Sequence, residues 1–433
     1  MTPAARIQAV IELFAEVIDT PRPADALTSA YFRSRRFIGS KDRQSIITRL
    51  YRLMRAYYRL SWWVRKANVE VNARTLTIAG LILDREHTAK SIGMAFSGER
   101  YAPELLKRGE MMMAEMLEGK DLAPPEMPES VRCECPPWAE DSLRKALGAR
   151  FEEELTAMLS AAPMDVRVNT VKGRRDDVLR QLQKEGFEAE AGKHSPNAIR
   201  LFGRPHIVQH ELFREGVIEI QDEGSQMVAV VADAKPGEQV ADFCAGAGGK
   251  TLALAANMAN KGRVVAMDVL GGRLERAKER FRRAGLHNIE TRALTSERDK
   301  YVKRHQDHFD LVLVDAPCSG TGTWRRDPDK RWRQLGPGLE TLVPLQKSIL
   351  ESACRMVKPG GRLVYATCSL LPDENEDQVA AFLAAHPQFK RSGDDLKMTP
   401  AAHNTDGFYA AVLVRDAKAK EKEPAAKTGD GAQ

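Results

Sequence analysis

The sequence predicts an α/β protein in which a doubly wound, Rossmann-like sheet follows a small α+β module and an all-helical N-terminal domain. Three observations predict it. At 433 residues the chain exceeds one ordinary core, so two or three domains are expected. Residues 4 to about 120 carry apolar side chains at three- and four-residue spacing, the period of a helix. From 226 to 415 short apolar runs alternate with helical patterns, the signature of a parallel sheet covered on both faces.

In the first domain, residues 1–125, Ile46, Leu50, Leu53, Tyr57, Leu60 and Val64 mark the buried face of one helix. Arg52, Arg55 and Arg59 share another face of it. Pro124-Pro125-Glu126-Met127-Pro128 predicts a linker. Residues 126–225 hold a helical stretch from Trp138 to Ser160, a strand from Asp165 to Thr170, and a helix from Arg175 to Glu185 ended by Gly186. Short strands then run as far as Ile220, which makes this a small α+β module. In the sheet domain, 226–415, strands are expected at Val240–Phe243, Val264–Met267, Leu311–Val314 and Leu363–Tyr365. Residues 416–433 lack large apolar side chains and are expected to be disordered.

A hydrophobic content of 43% beside 29% charged residues describes a soluble globular protein, and no uncharged apolar run approaches a membrane span. Glu12, Glu16 and Asp19 near the start exclude a secretory signal. Six cysteines in a chain this long suit free thiols in a reducing cytoplasm. Cys133 and Cys135 lack a second Cys or His pair that would complete a tetrahedral site, so a plain linker and no metal are expected.

The net charge of +6 is unevenly placed. Between Arg33 and Lys66 stand eleven bases and one acid, Asp42, so the rest of the chain is slightly acidic. A phosphate polymer fits such a patch. Phe37, Tyr51, Tyr58, Trp62 and Trp63 are interleaved with the bases. Aromatics so placed can stack on unpaired bases, but their spacing follows the apolar stripe and favours core.

The first strand of the sheet runs into Asp242-Phe243-Cys244-Ala245-Gly246-Ala247-Gly248-Gly249-Lys250-Thr251, with a helix after it. Glycines there allow a sharp turn and close approach of a ligand to a helix N-terminus. A P-loop would require Gly where Cys244 stands, and a dinucleotide fingerprint fails on the spacing of Gly246, Gly248 and Gly249. S-adenosylmethionine fits best, because the next strand ends in Asp268, an acid placed to hold a ribose diol. Asp268 is equally placed to cap the helix that begins near Gly271-Gly272-Arg273.

Cys318, in Asp315-Ala316-Pro317-Cys318-Ser319-Gly320, and Cys368, in Ala366-Thr367-Cys368-Ser369, each follow a predicted strand. Carboxyl ends of such strands line the ligand crevice, so both thiols are expected to face one substrate. Carbon 5 of a cytosine is a poor nucleophile until a thiolate adds to carbon 6, a step that needs an activated cysteine and a proton donor. Enzymes that methylate exocyclic amines commonly place an aromatic residue where Cys318 stands, which favours carbon as the acceptor here. A buried, inert thiol is the alternative for Cys368.

On these residues the chain resembles the Nop/Sun (Fmu) family of RNA cytosine-5 methyltransferases, its RsmB-like members above all. The likeness rests on Asp242 to Thr251, on Asp315 to Thr323 with Arg325-Arg326-Asp327-Pro328-Asp329, and on Thr367-Cys368-Ser369. It extends to Arg167-Val168-Asn169-Thr170, to Gln221-Asp222-Glu223-Gly224-Ser225-Gln226 and to Asp406-Gly407-Phe408. The resemblance implies a class I methyltransferase sheet, an RRM-like module and a NusB-like RNA-binding domain. It implies S-adenosyl-L-methionine as cofactor, Cys368 as the nucleophile on carbon 6 and Cys318 as the group that assists release. It further implies Asp315 at the base edge and at the cofactor. The loop Cys244, Ala245, Gly246, Ala247, Gly248, Gly249, Lys250, together with Asp268 and Arg273, would form the cofactor site. One departure stands out: Leu294 and Thr295 occupy the place after the third strand where family members carry an acid near the adenine, with Glu297 as a substitute after a shift.

The expected function is therefore cytosine-5 methylation of RNA, with ribosomal RNA as partner, by a cytoplasmic monomer. A transfer RNA substrate is the rival within that class. A non-catalytic RNA-binding ribosome assembly factor is the rival outside it.

Overall fold

The computed structural model describes residues 1–203, 205–333 and 335–417. Of the tail expected to be disordered, 416–433, residues 418–433 lie outside the described residues.

The N-terminal region is helical as the periodicity predicts, from Pro3–Asp19 to Arg108–Leu117. Local chemistry starts these helices: Thr2 accepts from the Ala5 N–H with Pro3 at the first helical position, and Asn72 and Thr75 form a capping box. Leu13, Phe14, Ile46, Leu50, Leu60, Val64 and Ile78 meet in one core.

The helix expected to run unbroken through Val64 is instead two, Ser40–Met54 and Tyr57–Lys66. Glu134, fully buried, accepts from the backbone N–H groups of Tyr58 (2.8 Å) and Arg59 (2.9 Å) and pairs with the Arg59 guanidinium. A carboxylate from about 75 residues away thus caps the second helix. Leu53 and Tyr57 stand four apart, so the apolar period carries across the break and hides it. The aromatics divide: Trp63 is core, Trp62 is half-buried, and Phe37 is exposed.

The predicted linker is not a plain connection. Cys133 and Cys135 lie in a core with Leu143, Leu147, Phe151, Leu155 and Trp324. The stretch from Trp138 to Ser160 is broken into the helices Glu140–Leu147 and Phe151–Ala157, because Gly148 stops the first in a left-handed backbone.

The α+β module pairs strands β1 (Met164–Val168), β2 (Ala189–Ala191), β3 (Ala198–Leu201) and β4 (Ile218–Ile220) in the order β2-β3-β1-β4, all antiparallel. The helix Arg175–Lys184 packs on it through Val178 and Leu182.

The large sheet holds β5 (Gln239–Asp242), β6 (Arg263–Asp268), β7 (Ile289–Ala293), β8 (Phe309–Asp315), β9 (Val357–Thr367), β10 (Phe389–Arg391), β11 (Leu396–Met398) and β12 (Phe408–Arg415). Its order is β10-β12-β9-β8-β5-β6-β7, with β11 on β12. The predicted parallel core is present from β9 to β7. The other edge is antiparallel, so the sheet is mixed, an outcome that apolar runs alone do not encode. Chain order reverses between β5 and β8, the switch point where such sheets open a crevice. No helix among the described residues is long and apolar enough to cross a membrane.

Candidate active site

Four strand ends build the crevice. Parallel register sets Asp242 level with Leu313, Asp268 with Ala293, and Asp315 with Ala366. The loops after β5, β6, β8 and β9 therefore leave the sheet side by side.

After β5, Gly246 and Gly248 take positive φ (55° and 80°), and the helix Gly249–Asn257 follows. Side chains are excluded on other grounds too: a Cβ on Gly246 would meet Arg273 Nη2 at 2.8 Å, and one on Gly248 would meet the Phe281 ring. Backbone bonds brace the turn. Ala245 N–H donates to Met267 O (2.8 Å), Gly248 N–H to Ala245 O (2.8 Å), and the Ala247 carbonyl accepts from Arg280. Cys244 is partly buried beside this turn, where burial raises its thiol well above the ordinary range.

Asp268, nearly buried, accepts from Gly246 N–H (2.8 Å) and Leu270 N–H (2.7 Å). It is not the N-cap of the following helix, Gly271–Ala284; Leu270 is. The carboxylate instead ties the β6 end to the glycine loop. Arg273 Nη1 lies 4.0 Å away.

Lys250 projects from the loop helix to Asp315 at the end of β8, Nζ to Oδ2 2.8 Å. Burial works against the ammonium, but the Asp315 charge and hydrogen bond outweigh it and the net shift is upward. Asp242 is fully buried and accepts from Thr251 Oγ1 (2.6 Å); burial carries its carboxyl up to about 7.

Cys318 and Cys368 meet above this pair, Sγ to Sγ 3.4 Å. The hydrogen bond with Cys368, then burial, raise the Cys318 thiol well above its usual range, so Cys318 keeps its proton. Both are partly accessible, unlike the buried Cys133, Cys135 and Cys354. A Cβ on Gly322 would collide with the Gly407 carbonyl, and Gly322 N–H donates to Cys368 O (2.9 Å). Three separated motifs are thereby locked into one wall.

Behind that wall Arg325, buried, bonds Asp406 (2.8 Å), and Arg326 bonds both Asp406 and Asp222 (2.7 Å to the latter). Arg167 of β1 reaches under the sheet to the Gly249 carbonyl (2.8 Å) and to Gln221. The motif residues outside the crevice thus hold the α+β module and the last strand against the cofactor loop.

The turn after β7 carries no acid at Leu294 or Thr295 and is closed by Asp299. Leu294 is buried, and Asp299 accepts from Thr295 N–H (2.9 Å), Thr295 Oγ1 (2.8 Å) and Tyr301 N–H (2.7 Å). These bonds hold the Asp299 carboxyl down at about 2. Glu297 accepts from Ser348 and is engaged there. Asp299 escaped the sequence reading; its signal was an acid one residue before the helix Lys300–Arg304.

Glu374 and Asn375 also escaped it. Glu374 holds the Cys318 turn through Ser319, and Asn375 holds the Cys368 turn through Thr367 and Ser369. Their signal was a polar Asp373-Glu374-Asn375-Glu376 run soon after the second cysteine.

The residues present suit S-adenosylmethionine. Asp268, at the end of β6 beside the glycine turn, is a carboxylate that could accept from ribose hydroxyls, and the glycine turn offers backbone where a side chain could not fit.

Residues 229–414 match the family 16S rRNA methyltransferase RsmB/F, and residues 135–207 match the ferredoxin-like domain of RsmF/B-like methyltransferases. The ribosomal RNA small subunit methyltransferase B of Shewanella oneidensis is 34% identical over 296 residues, 66% of this chain and 68% of that one. The chain belongs to the RsmB/F family. The protein of the same description from Photorhabdus laumondii is 34% identical over 65% of this chain, and the match spans just under two thirds of that relative, 66%. The solved structure of PH0851 superposes over 95% of this chain and 99% of its own with a TM-score of 0.77 at 27% identity. The RsmB/F match covers β5 to β9 and most of β12, and so every loop of the crevice.

Proposed function

We propose that this chain methylates carbon 5 of a cytosine in RNA, with small-subunit ribosomal RNA as substrate and S-adenosyl-L-methionine as methyl donor. The observation that carries the reading is the pair of thiols 3.4 Å apart over the Lys250–Asp315 ion pair. Membership in the RsmB/F family and the names of its relatives supply the RNA.

Asp268 would hold the ribose hydroxyls, and the loop from Cys244 to Lys250, with Arg273, the rest of the cofactor. When bound, that group supplies an electrophilic methyl on a sulfonium. The cytosine must leave its stack for carbon 6 to be reached. Cys368, as thiolate, adds to carbon 6 and converts the ring to an enamine whose carbon 5 is nucleophilic. Asp315, braced by Lys250, faces the base edge. After methyl transfer water takes the proton on carbon 5, the electron pair of that bond re-forms the 5,6 double bond, and the Cys368 thiolate is expelled. Cys318, held as a thiol beside Cys368, assists that release.

The division at residues 125, 225 and 415 assigns RNA contact to the first two parts and chemistry to the third, in a cytoplasmic monomer. Bisulfite sequencing of total RNA from cells with and without the gene tests the whole reading. One cytosine in small-subunit rRNA should lose its methyl mark. A mark lost from transfer RNA instead would change the substrate. Calorimetry that detects no S-adenosylmethionine binding would leave the assembly-factor reading.

A further inference from the structure

Two adjacent residues, Glu374 and Asn375, grip the two cysteine turns separately. Glu374 is fully buried. Its Oε1 accepts from Ser319 N–H (2.9 Å) and from Gln346 Nε2 (3.0 Å), and its Oε2 accepts from Ser319 Oγ (2.5 Å). The same Gln346 amide donates to Pro317 O (2.9 Å). Residues 317 and 319, the two neighbours of Cys318, are thus held by one carboxylate and its amide partner.

Asn375 does the same for the other thiol. Its Oδ1 accepts from Thr367 Oγ1 (2.5 Å) and its Nδ2 donates to Ser369 O (2.9 Å), so both neighbours of Cys368 are held by one side chain. The Thr367 hydroxyl also accepts from Ser369 N–H (3.1 Å) and closes the turn. The Glu374 carbonyl is anchored to β9 by the Tyr365 hydroxyl (2.6 Å), which fixes the pair of grips to the sheet.

We infer that Glu374-Asn375 is a positioning element that sets the separation of the two catalytic sulfurs, Glu374 fixing Cys318 and Asn375 fixing Cys368. Neither residue touches substrate. A peptide bond joins the two grips, so the sulfurs are referred to one rigid point rather than to two independent loops. Small displacements matter at such a site, since productive geometry tolerates only about 0.5 Å. The proximity of the Glu374 charge also helps to keep Cys318 protonated.

The inference rests on the proposed chemistry only for its consequence; the geometry is tested without RNA. Phenylarsine oxide bonds two thiols at once and releases water, and it binds tightly only where two sulfurs are already held close together. Titrated into the full chain, it should be captured by Cys318 and Cys368, with Cys318→Ala/Cys368→Ala as the baseline. Glu374→Ala and Asn375→Ala should each weaken capture tenfold or more. Glu374→Gln, which keeps an acceptor for Ser319 N–H, should recover most of it. Ser319→Ala removes the Oγ bond to Glu374, and with it the 3.3 Å contact to Ser369 Oγ, without opening a cavity; it should weaken capture several-fold, which keeps the test alive if Glu374→Ala does not fold. S-adenosylmethionine affinity should stay constant throughout. Undiminished capture in folded Glu374→Ala, Asn375→Ala or Ser319→Ala would overturn the inference. With RNA added, Glu374→Ala should accumulate the covalent adduct and Asn375→Ala should form less of it. Normal capture effects with no adduct in any variant would refute the methyltransferase chemistry and leave the positioning intact.

Discussion

In the helical region nearly every central base has a local partner. Arg49 and Arg52 meet Glu86, Arg52 also meets Asp84, Arg59 meets the buried Glu134, and Arg55 donates to the Arg325 carbonyl. In the crevice the charges are fewer: Lys250 pairs with Asp315, Arg273 lies 4.0 Å from Asp268, Asp242 is buried against Thr251, and two thiols stand partly open. The middle of the run of bases that looks in sequence like one RNA-binding face is therefore tied to acids and carbonyls of this chain, while Arg33, Arg36, Lys41, Arg65 and Lys66 toward its ends are exposed, and the sparser charges at the strand ends line the crevice. Charge density along a chain does not distinguish these cases; what each charge faces does.

The two regions meet in one segment. Trp332 stacks on Tyr57 at 4.1 Å, lies edge-on to Phe14 and donates to Met54 O (3.0 Å). Asp329 accepts from Ala24 N–H (3.1 Å), and Arg333 donates to Arg22 O (2.8 Å). The loop that starts at Cys318 thus ends in the wall of the helical bundle, so the bundle is seated on the loop that lines the crevice.

The sharpest contrast should come from single substitutions on the two sides. Cys368→Ala should reduce methyl transfer to background with the fold unchanged. Cys318→Ala should retain attack and trap a protein–RNA adduct that survives denaturation on a gel and forms only with S-adenosylmethionine. An adduct trapped by Cys368→Ala and absent from Cys318→Ala would reverse the two roles.

On the helical side, Arg59→Ala should act on stability and not on chemistry. It strands the buried Glu134 carboxylate, a loss of about 3 kcal/mol, the low end for a broken buried pair because two backbone N–H groups remain. Chemical denaturation followed by tryptophan fluorescence would read it. A loss of RNA affinity at unchanged stability would restore Arg59 to the RNA-binding face.

Asp268→Ala should weaken S-adenosylmethionine binding tenfold or more, since hydrogen bonds to a charged acceptor contribute roughly 1.5–3 kcal/mol. Calorimetry that finds the same dissociation constant would reduce Asp268 to a brace for Gly246 and Leu270. The smallest effect belongs to Arg33, Arg36 and Lys41, which are exposed and make no ion pair among the described residues. Changing all three to Ala should leave stability within about 0.5 kcal/mol. It should flatten the salt dependence of RNA binding by about 0.7 in slope for each phosphate no longer neutralised. An unchanged slope would move the RNA path off this helical surface.

The helical period, the parallel core of the sheet, and the three motifs that supply the glycines, acids and thiols of the crevice were all legible in the chain of residues. Those features are local: a period, a tight turn and a strand end are each written in neighbouring residues. Relations between distant residues belong to the folded molecule. The break at Arg55–Ala56 depends on Glu134, the antiparallel edge on β12, and the neutralised arginines on Asp84, Glu86 and Glu134. The 3.4 Å between the sulfurs follows from the β8–β9 register and from Glu374 and Asn375, whose polar run is visible in the sequence while the turns they grip are not. A buried charge or a register leaves no mark on its sequence neighbours, and its meaning is fixed only when folding chooses the partner that satisfies it.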